Sequence, residues 1–169
     1  MTVIYNPASA LSSTAPVVGS TGTFTGQLIG GGTTTNNNAA AGVIGEYTSS
    51  EVLAGSAIPI THITNANITS VSLTAGDWHV WGVIWPVGAG GTTYNNIQGW
   101  ISNVSATTPT APNGGAYALL MAPPGDVGLP VGMRRFSLSG TTTIYLSIRS
   151  SFAVGTLSAY GGLYARRMR

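Results

Sequence analysis

The sequence contains no cysteine and no lysine in 169 residues. Without thiols it forms no disulfide and carries no thiolate chemistry, which fits a protein made in a reducing cytosol. Charge of either sign is scarce: 6% of residues are charged, where about a quarter is usual. The bases are Arg134, Arg135, Arg149, Arg166, Arg167 and Arg169; the acids are Glu46, Glu51, Asp77 and Asp126. A surface so poor in charge favours association, so the chain is expected to live packed against copies of itself or inside a larger assembly. The formal charge of +2 is too small to argue for nucleic acid, and the terminal RRMR reads as a solvated end. No segment approaches the roughly 18 uninterrupted apolar residues of a membrane helix, so no membrane insertion is expected. The opening MTVIYNPASA has neither the basic region nor the apolar core of a signal peptide.

Catalytic signatures are missing too. GxxxxGK[ST], HExxH, CxxC and GxSxG do not occur, and Gly30-Gly31-Gly32 runs into Thr and Asn rather than into a helix. Two histidines and four acids leave little from which to build an acid–base pair. Asp77 and His79, two apart on a strand, share a face and are placed to bond each other. An Asp that opens a strand is nevertheless first a turn residue, and a His beside Trp81 is first a surface or interface residue. His62 and His79 with Glu46 or Glu51 show no metal-ligand spacing. The expectation is a protein that is not an enzyme, with no cofactor and no metal.

What the chain does have is small residues, aromatics and short apolar runs. Residues 1–42 are dominated by Thr, Ser, Gly, Ala and Asn, with no charge before Glu46. So few apolar side chains do not repay the entropy of ordering. Val3, Ile4 and Tyr5, then Phe24, Leu28 and Ile29, are the exceptions. This segment reads either as an arm that orders against a partner or as plain disorder.

From Val43 onward strand signals are dense. The expected strands are 43–49, 58–63, 68–74, 77–85, 97–104, 117–121, 133–138, 143–149 and 157–166. Loops are expected at 88–96, 107–115 and 122–130. No 3.6-residue period is sustained. Eight or nine short strands without helices predict an all-β fold, an antiparallel β-sandwich of jelly-roll type, over residues 43–169. Ile144, Leu146 and Ile148 are expected to face the core, with Tyr145 and Arg149 outward.

The run 71–86, VSLTAGDWHVWGVIWP, organises the rest. Val71 and Leu73 alternate with polar neighbours, and Ala75-Gly76-Asp77 supplies turn chemistry. Then Trp78, Val80, Gly82 and Ile84 fall on one face, and His79, Trp81, Val83 and Trp85 on the other. A strand apolar on both faces is covered on both sides. One cover is the domain's own core; the other is a second layer of the same chain or another subunit. An oligomer interface is therefore expected through His79, Trp81, Val83 and Trp85.

Glu46 and Glu51 flank Tyr47. They read as edge-strand charge that discourages aggregation, or as partners of Arg134, Arg135 or Arg149. Tyr94, Trp100, Tyr117, Tyr145, Tyr160 and Tyr164 suit a core, a subunit interface or sugar stacking. If glycan is bound, the loop 88–96 with Tyr94 and Asn95, together with Trp100, is the place for it.

Several stretches carry a resemblance. Gly42-Val43-Ile44-Gly45-Glu46-Tyr47 follows an Asn/Ala-rich spacer; Ser72-Leu73-Thr74-Ala75-Gly76-Asp77-Trp78 and Thr142-Thr143-Ile144-Tyr145-Leu146 come next; Tyr160-Gly161-Gly162-Leu163-Tyr164-Ala165-Arg166-Arg167-Met168-Arg169 closes the chain. As a set, over about 42–169, they resemble a β module of tailed-bacteriophage and prophage virion proteins. Such modules are similar to capsid decoration or head-fibre proteins and to distal modules of tail fibres. The resemblance implies a β-sandwich, commonly a homotrimer, whose N-terminal segment anchors it to the major capsid protein or another virion protein. It implies location in the virion after synthesis in the host cytoplasm, with no enzymatic role. The aromatic run from His79 to Trp85 departs from that pattern. The expected function is a virion structural protein; the alternative is a tail-fibre or receptor-binding module that contacts host surface glycans.

Overall fold

A computed structural model describes residues 35–110 and 128–169. The expected arm residues Val3, Ile4, Tyr5, Phe24, Leu28 and Ile29 and the expected strand 117–121 lie outside the described residues. One compact unit spans Asn37–Arg169. Its strands are β1 (Tyr47–Val52), β2 (Ile58–Ile60), β3 (Ala66–Leu73), β4 (Gly76–Ala89), β5 (Tyr94–Ser102), β6 (Leu129–Leu138), β7 (Thr142–Phe152) and β8 (Thr156–Arg167), with one 3-10 turn at Ala54–Ser56.

The strands form two antiparallel sheets packed as a sandwich, as the alternation predicts. The larger has the order β1-β8-β4-β6, with β2 also on β8; the smaller is β3-β7-β5. Each sheet interleaves early and late strands, the jelly-roll habit. The core lies between them. Trp78, Val80 and Ile84 of β4 and Leu157, Ala159, Leu163 and Ala165 of β8 face Val71, Leu73, Ile97, Ile101, Ile144, Leu146 and Ile148. Ile144, Leu146 and Ile148 are all fully buried, while Tyr145 and Arg149 are half-buried on the opposite face.

Several boundaries differ from the sequence reading, each for a local reason. Residues 43–46 form a turn, with Val43 N–H donating to Ala40 O and Glu46 N–H to Val43 O, so β1 begins at Tyr47. Strand β2 stops at Ile60 and a turn follows, in which Thr64 N–H donates to Thr61 O and Ile63 has φ 58°, a left-handed conformation no strand uses. The expected loop 88–96 is mostly strand: β4 runs through Pro86 to Ala89, and β5 already starts at Tyr94. Pro86 is tolerated because pairing with β6 ends at Ile84, leaving only β8 beside it. Strand β6 likewise begins four residues early, at Leu129, and carries Pro130 on a sheet edge.

At one corner the two ends of the compact unit are clasped. Gly45 N–H donates to Arg167 O, Arg167 N–H to Glu46 O, Met168 N–H to Asp77 O and Asp77 N–H to Arg169 O. The Arg167 side chain is 5% exposed and lies over the Trp78 ring, 4.4 Å from its centroid. It donates to Glu46 Oε2 at 2.7 Å, to Ala75 O at 2.7 Å and to Thr74 Oγ1. Gly76 has φ 141°, and a Cβ there would strike the Arg167 guanidinium; only glycine leaves that room.

Candidate functional site

The alternation that sends Trp78, Val80 and Ile84 inward sends His79, Trp81, Val83 and Trp85 to the outer face of the larger sheet. There they are half-buried, not exposed. Register sets their neighbours. Tyr47, Arg166, His79 and Arg135 form one row across the strands; Ser49, Tyr164 and Trp81 the next; Glu51, Gly162, Val83 and Pro130 the third; Tyr160 and Trp85 the fourth.

Aromatic rings meet along those rows. Trp81 and Tyr164 stack with centroids 6.0 Å apart, and Trp85 and Tyr160 are parallel within 8° at 6.1 Å. Tyr47 adds a third ring, 6.3 Å from Trp81. A Cβ at Gly128 would come within 2.8 Å of the Trp85 ring, so backbone packs directly on that indole. The band therefore has aromatic second and fourth rows. Gly162 keeps the third row low, and the Tyr164 hydroxyl lies down over it. The result is a shallow hollow of about 140 Å³, lined by Glu51, Leu53, Val83, Trp85, Tyr160, Gly162 and Tyr164 among others.

Electrostatically the centre of this face is neutral. Glu51 stands at the rim of the hollow, exposed. The Tyr164 hydroxyl has its pKa raised above the ordinary tyrosine value, first by burial and then by a hydrogen bond to the Glu51 carboxylate. In the first row, Arg166 is exposed. The other two acids among the described residues, Asp77 and Glu46, are committed elsewhere. Asp77 accepts two hydrogen bonds from Arg135, at 2.8 and 2.7 Å, and an ion pair from Arg169 at 2.9 Å. Its pKa is lowered, chiefly by the Arg135 hydrogen bonds. Glu46 is held below the ordinary range by Arg167 first and by the Gly42 N–H second.

These pairings revise two expectations. Asp77 accepts its hydrogen bonds from Arg135 rather than from His79, so the Asp77–His79 bond that their spacing allows is not made. Glu46 pairs with Arg167, which looked like a solvated terminus, and not with Arg134, Arg135 or Arg149. Among the described residues no group of three or more His, Cys, Asp or Glu is placed to hold a metal, and no helix is long and apolar enough to cross a membrane.

The expected glycan-contact residues differ in exposure. Asn95 is exposed and Tyr94 half-buried, with burial raising the Tyr94 pKa. Trp100, however, is 0% exposed and is not available to a sugar. Gly99 and Ile101 face the core, so Trp100 points to the outer side of the smaller sheet. The segment 103–108 folds back on that side, held by Asn67 Oδ1, which accepts from Ala106 N–H and from Ser147 Oγ at 2.8 Å each. Sequence reasoning found the β4 half of the aromatic face and missed the β8 half as its partner. The signal was present: Tyr160, Gly162, Tyr164 and Arg166 share one face of a strand by alternation.

No protein-family model matches the sequence, and no curated protein matches it. Among solved structures, the chain is similar to the infectious bursal disease virus VP2 subviral particle, with TM-score 0.43 and 16% identity, over 72% of this chain and 30% of that one. A structure of the infectious bursal disease virus Gt strain gives TM-score 0.40 and 16% identity over the same shares. The chain thus spans less than a third of the length of either.

Proposed function

We propose that this protein is a structural component of a virion, a capsid decoration or head-fibre protein that self-associates through the outer face of its larger sheet and is anchored by residues 1 to about 42. The observation that carries the reading is the half-buried band of Trp81, Trp85, Tyr160 and Tyr164, set in a chain with almost no charge to keep copies apart. Tyr and Trp are the residues enriched where protein surfaces meet. The resemblance of residues 42–169 to phage virion modules supports the setting, and the break in composition near Gly42 supports the division of labour between anchor and β domain.

Deletion of residues 1–41 is expected to abolish binding to phage heads while self-association persists. A truncated protein that still decorates heads refutes the anchor. Immunogold labelling of intact virions with antibody against residues 42–169 tests the location: label over the head supports decoration, and label on the tail favours the alternative, a tail-fibre or receptor-binding role toward host surface glycans.

A further inference from the structure

Of the three acids among the described residues, Glu46 and Asp77 are locked in ion pairs; Glu51 has only the Tyr164 hydroxyl. Of the arginines, Arg167, Arg135 and Arg169 serve those two locked acids. Arg134 donates to Ile101 O at 2.8 Å and lies over the Phe136 ring, and Arg149 donates to Ile63 O at 3.2 Å. The Arg166 side chain has no hydrogen-bond or ion-pair partner among the described residues. Among the described residues, the acid without an ion pair, Glu51, and the arginine whose side chain has no partner, Arg166, both lie on the outer aromatic face.

Their positions are related. Glu51 sits opposite Gly162 on β8 and Arg166 is four residues further along β8, about 13 Å at strand rise. Midway between them runs the Ser49–Tyr164–Trp81 row. A two-fold axis lying along that row, with two copies face to face, sets Trp81 and Tyr164 on their own counterparts. It also lays the first row of each copy (Tyr47, Arg166, His79) over the third row of the other (Glu51, Gly162, Val83). Long side chains then meet the low row that glycine creates. Arg166 of each copy is brought over the hollow of the other, where the Glu51 carboxylate stands at the rim and Tyr164, Tyr160 and Trp85 line the wall. A carboxylate beside aromatic faces is the chemistry that receives a guanidinium. Both contacts are made twice, as an isologous interface requires.

We infer that the hollow beside Glu51 is a guanidinium socket for Arg166 of a second copy, and that the self-association proposed above is a two-fold, face-to-face dimer. This rests on the proposed assembly role of the face but is separable from it. Sedimentation equilibrium of the full chain over a range of concentrations measures the dimer dissociation constant. Arg166→Glu and Glu51→Arg, both at exposed positions, are each expected to raise it by roughly tenfold or more; the double variant, which exchanges the charges, is expected to return it to within a few-fold of the parent. Unchanged dimerisation in the single variants, no recovery in the double variant, or a trimer as the associated species would overturn the socket. Trp81→Ala tells the two readings apart: if it dissociates an assembly that the charge variants leave intact, the face still assembles and only the socket is wrong. If it too leaves the assembly intact, the face is not where copies meet.

Discussion

Arg166 and Arg167 are chain neighbours with opposite fates, and the contrast gives a sharp test. Arg167→Ala removes a guanidinium that is almost fully buried, serves three acceptors and covers Trp78. Taking one member from a buried ion pair costs about 3–5 kcal/mol, largely because the other charge is stranded. Glu46 is not sealed: its side chain is 17% exposed, so water recovers part of that loss. Against this, the carbonyl of Ala75 and the hydroxyl of Thr74 lose a charged donor, and the Trp78 face loses its cation. The expected cost is about 3 kcal/mol. For a domain of this size that lowers the melting temperature by roughly 6–12 °C. Urea unfolding followed by tryptophan fluorescence reads both the loss and the change around Trp78. Arg166→Ala, in dilute protein where self-association contributes nothing, is expected to stay within about 0.5 kcal/mol of the parent. Equal effects of the two substitutions, or a loss below about 1 kcal/mol for Arg167→Ala, would refute the view that the clasp holds the corner closed.

Acid should act on the same corner. The Glu46 and Asp77 pKa values are lowered in the folded protein from ordinary values of 4.5 and 3.8. The unfolded chain therefore binds more protons in the intervening range, and stability rises with pH there. The contribution is complete above the ordinary values and is lost as pH falls through the folded ones; Glu46→Gln should flatten part of that slope in urea titrations from pH 7 to 2. Ultraviolet titration should find Tyr164 ionising above the ordinary tyrosine range, and Glu51→Gln should bring it down; an unchanged Tyr164 would break the proposed Glu51 contact. Trp78→Phe should cost more than Trp100→Phe in thermal unfolding. Trp78 Nε1 donates to Thr74 O at 3.0 Å, whereas Trp100 Nε1 is buried with no partner among the described residues, so its removal gives up no hydrogen bond.

The fold was legible because period-two alternation reports directly on which side of a sheet a residue takes. It placed Trp78, Val80 and Ile84 of β4 on one face and Ile144, Leu146 and Ile148 of β7 in the core, and it put Trp81 and Trp85 on the opposite face of β4 before any contact was known. It failed where the deciding contact is remote in sequence. Gly88 to Asn96 looks like a loop because Gly, Thr and Asn crowd it, yet β4 and β5 continue through much of it, since β8 and β7 lie alongside. Trp100 looked exposed because nothing local shows Asn67 drawing the 103–108 segment over that side; Asn67 and Ala106 are 39 residues apart. Arg167 looked like tail because Glu46 and Trp78, which bury it, lie 121 and 89 positions earlier in the chain. Pairings at that range belong to topology, and topology is the part that composition and spacing leave open.

The corner clasp has a mechanical consequence. Gly45 and Arg167 lie side by side at the clasp, and Tyr47 is paired with Arg166 at the same end of the β1–β8 ladder. Tension applied between these two points does not shear that ladder. It peels the ladder from one end, breaking the rungs in sequence, which is the weak direction for a pair of strands. The Glu46–Arg167 pair and its flanking backbone bonds stand where such peeling would begin. They are few beside the pairing of the whole sheet, but under load they are reached first, so Arg167→Ala should lower the peeling force out of proportion to its effect on unfolding at rest.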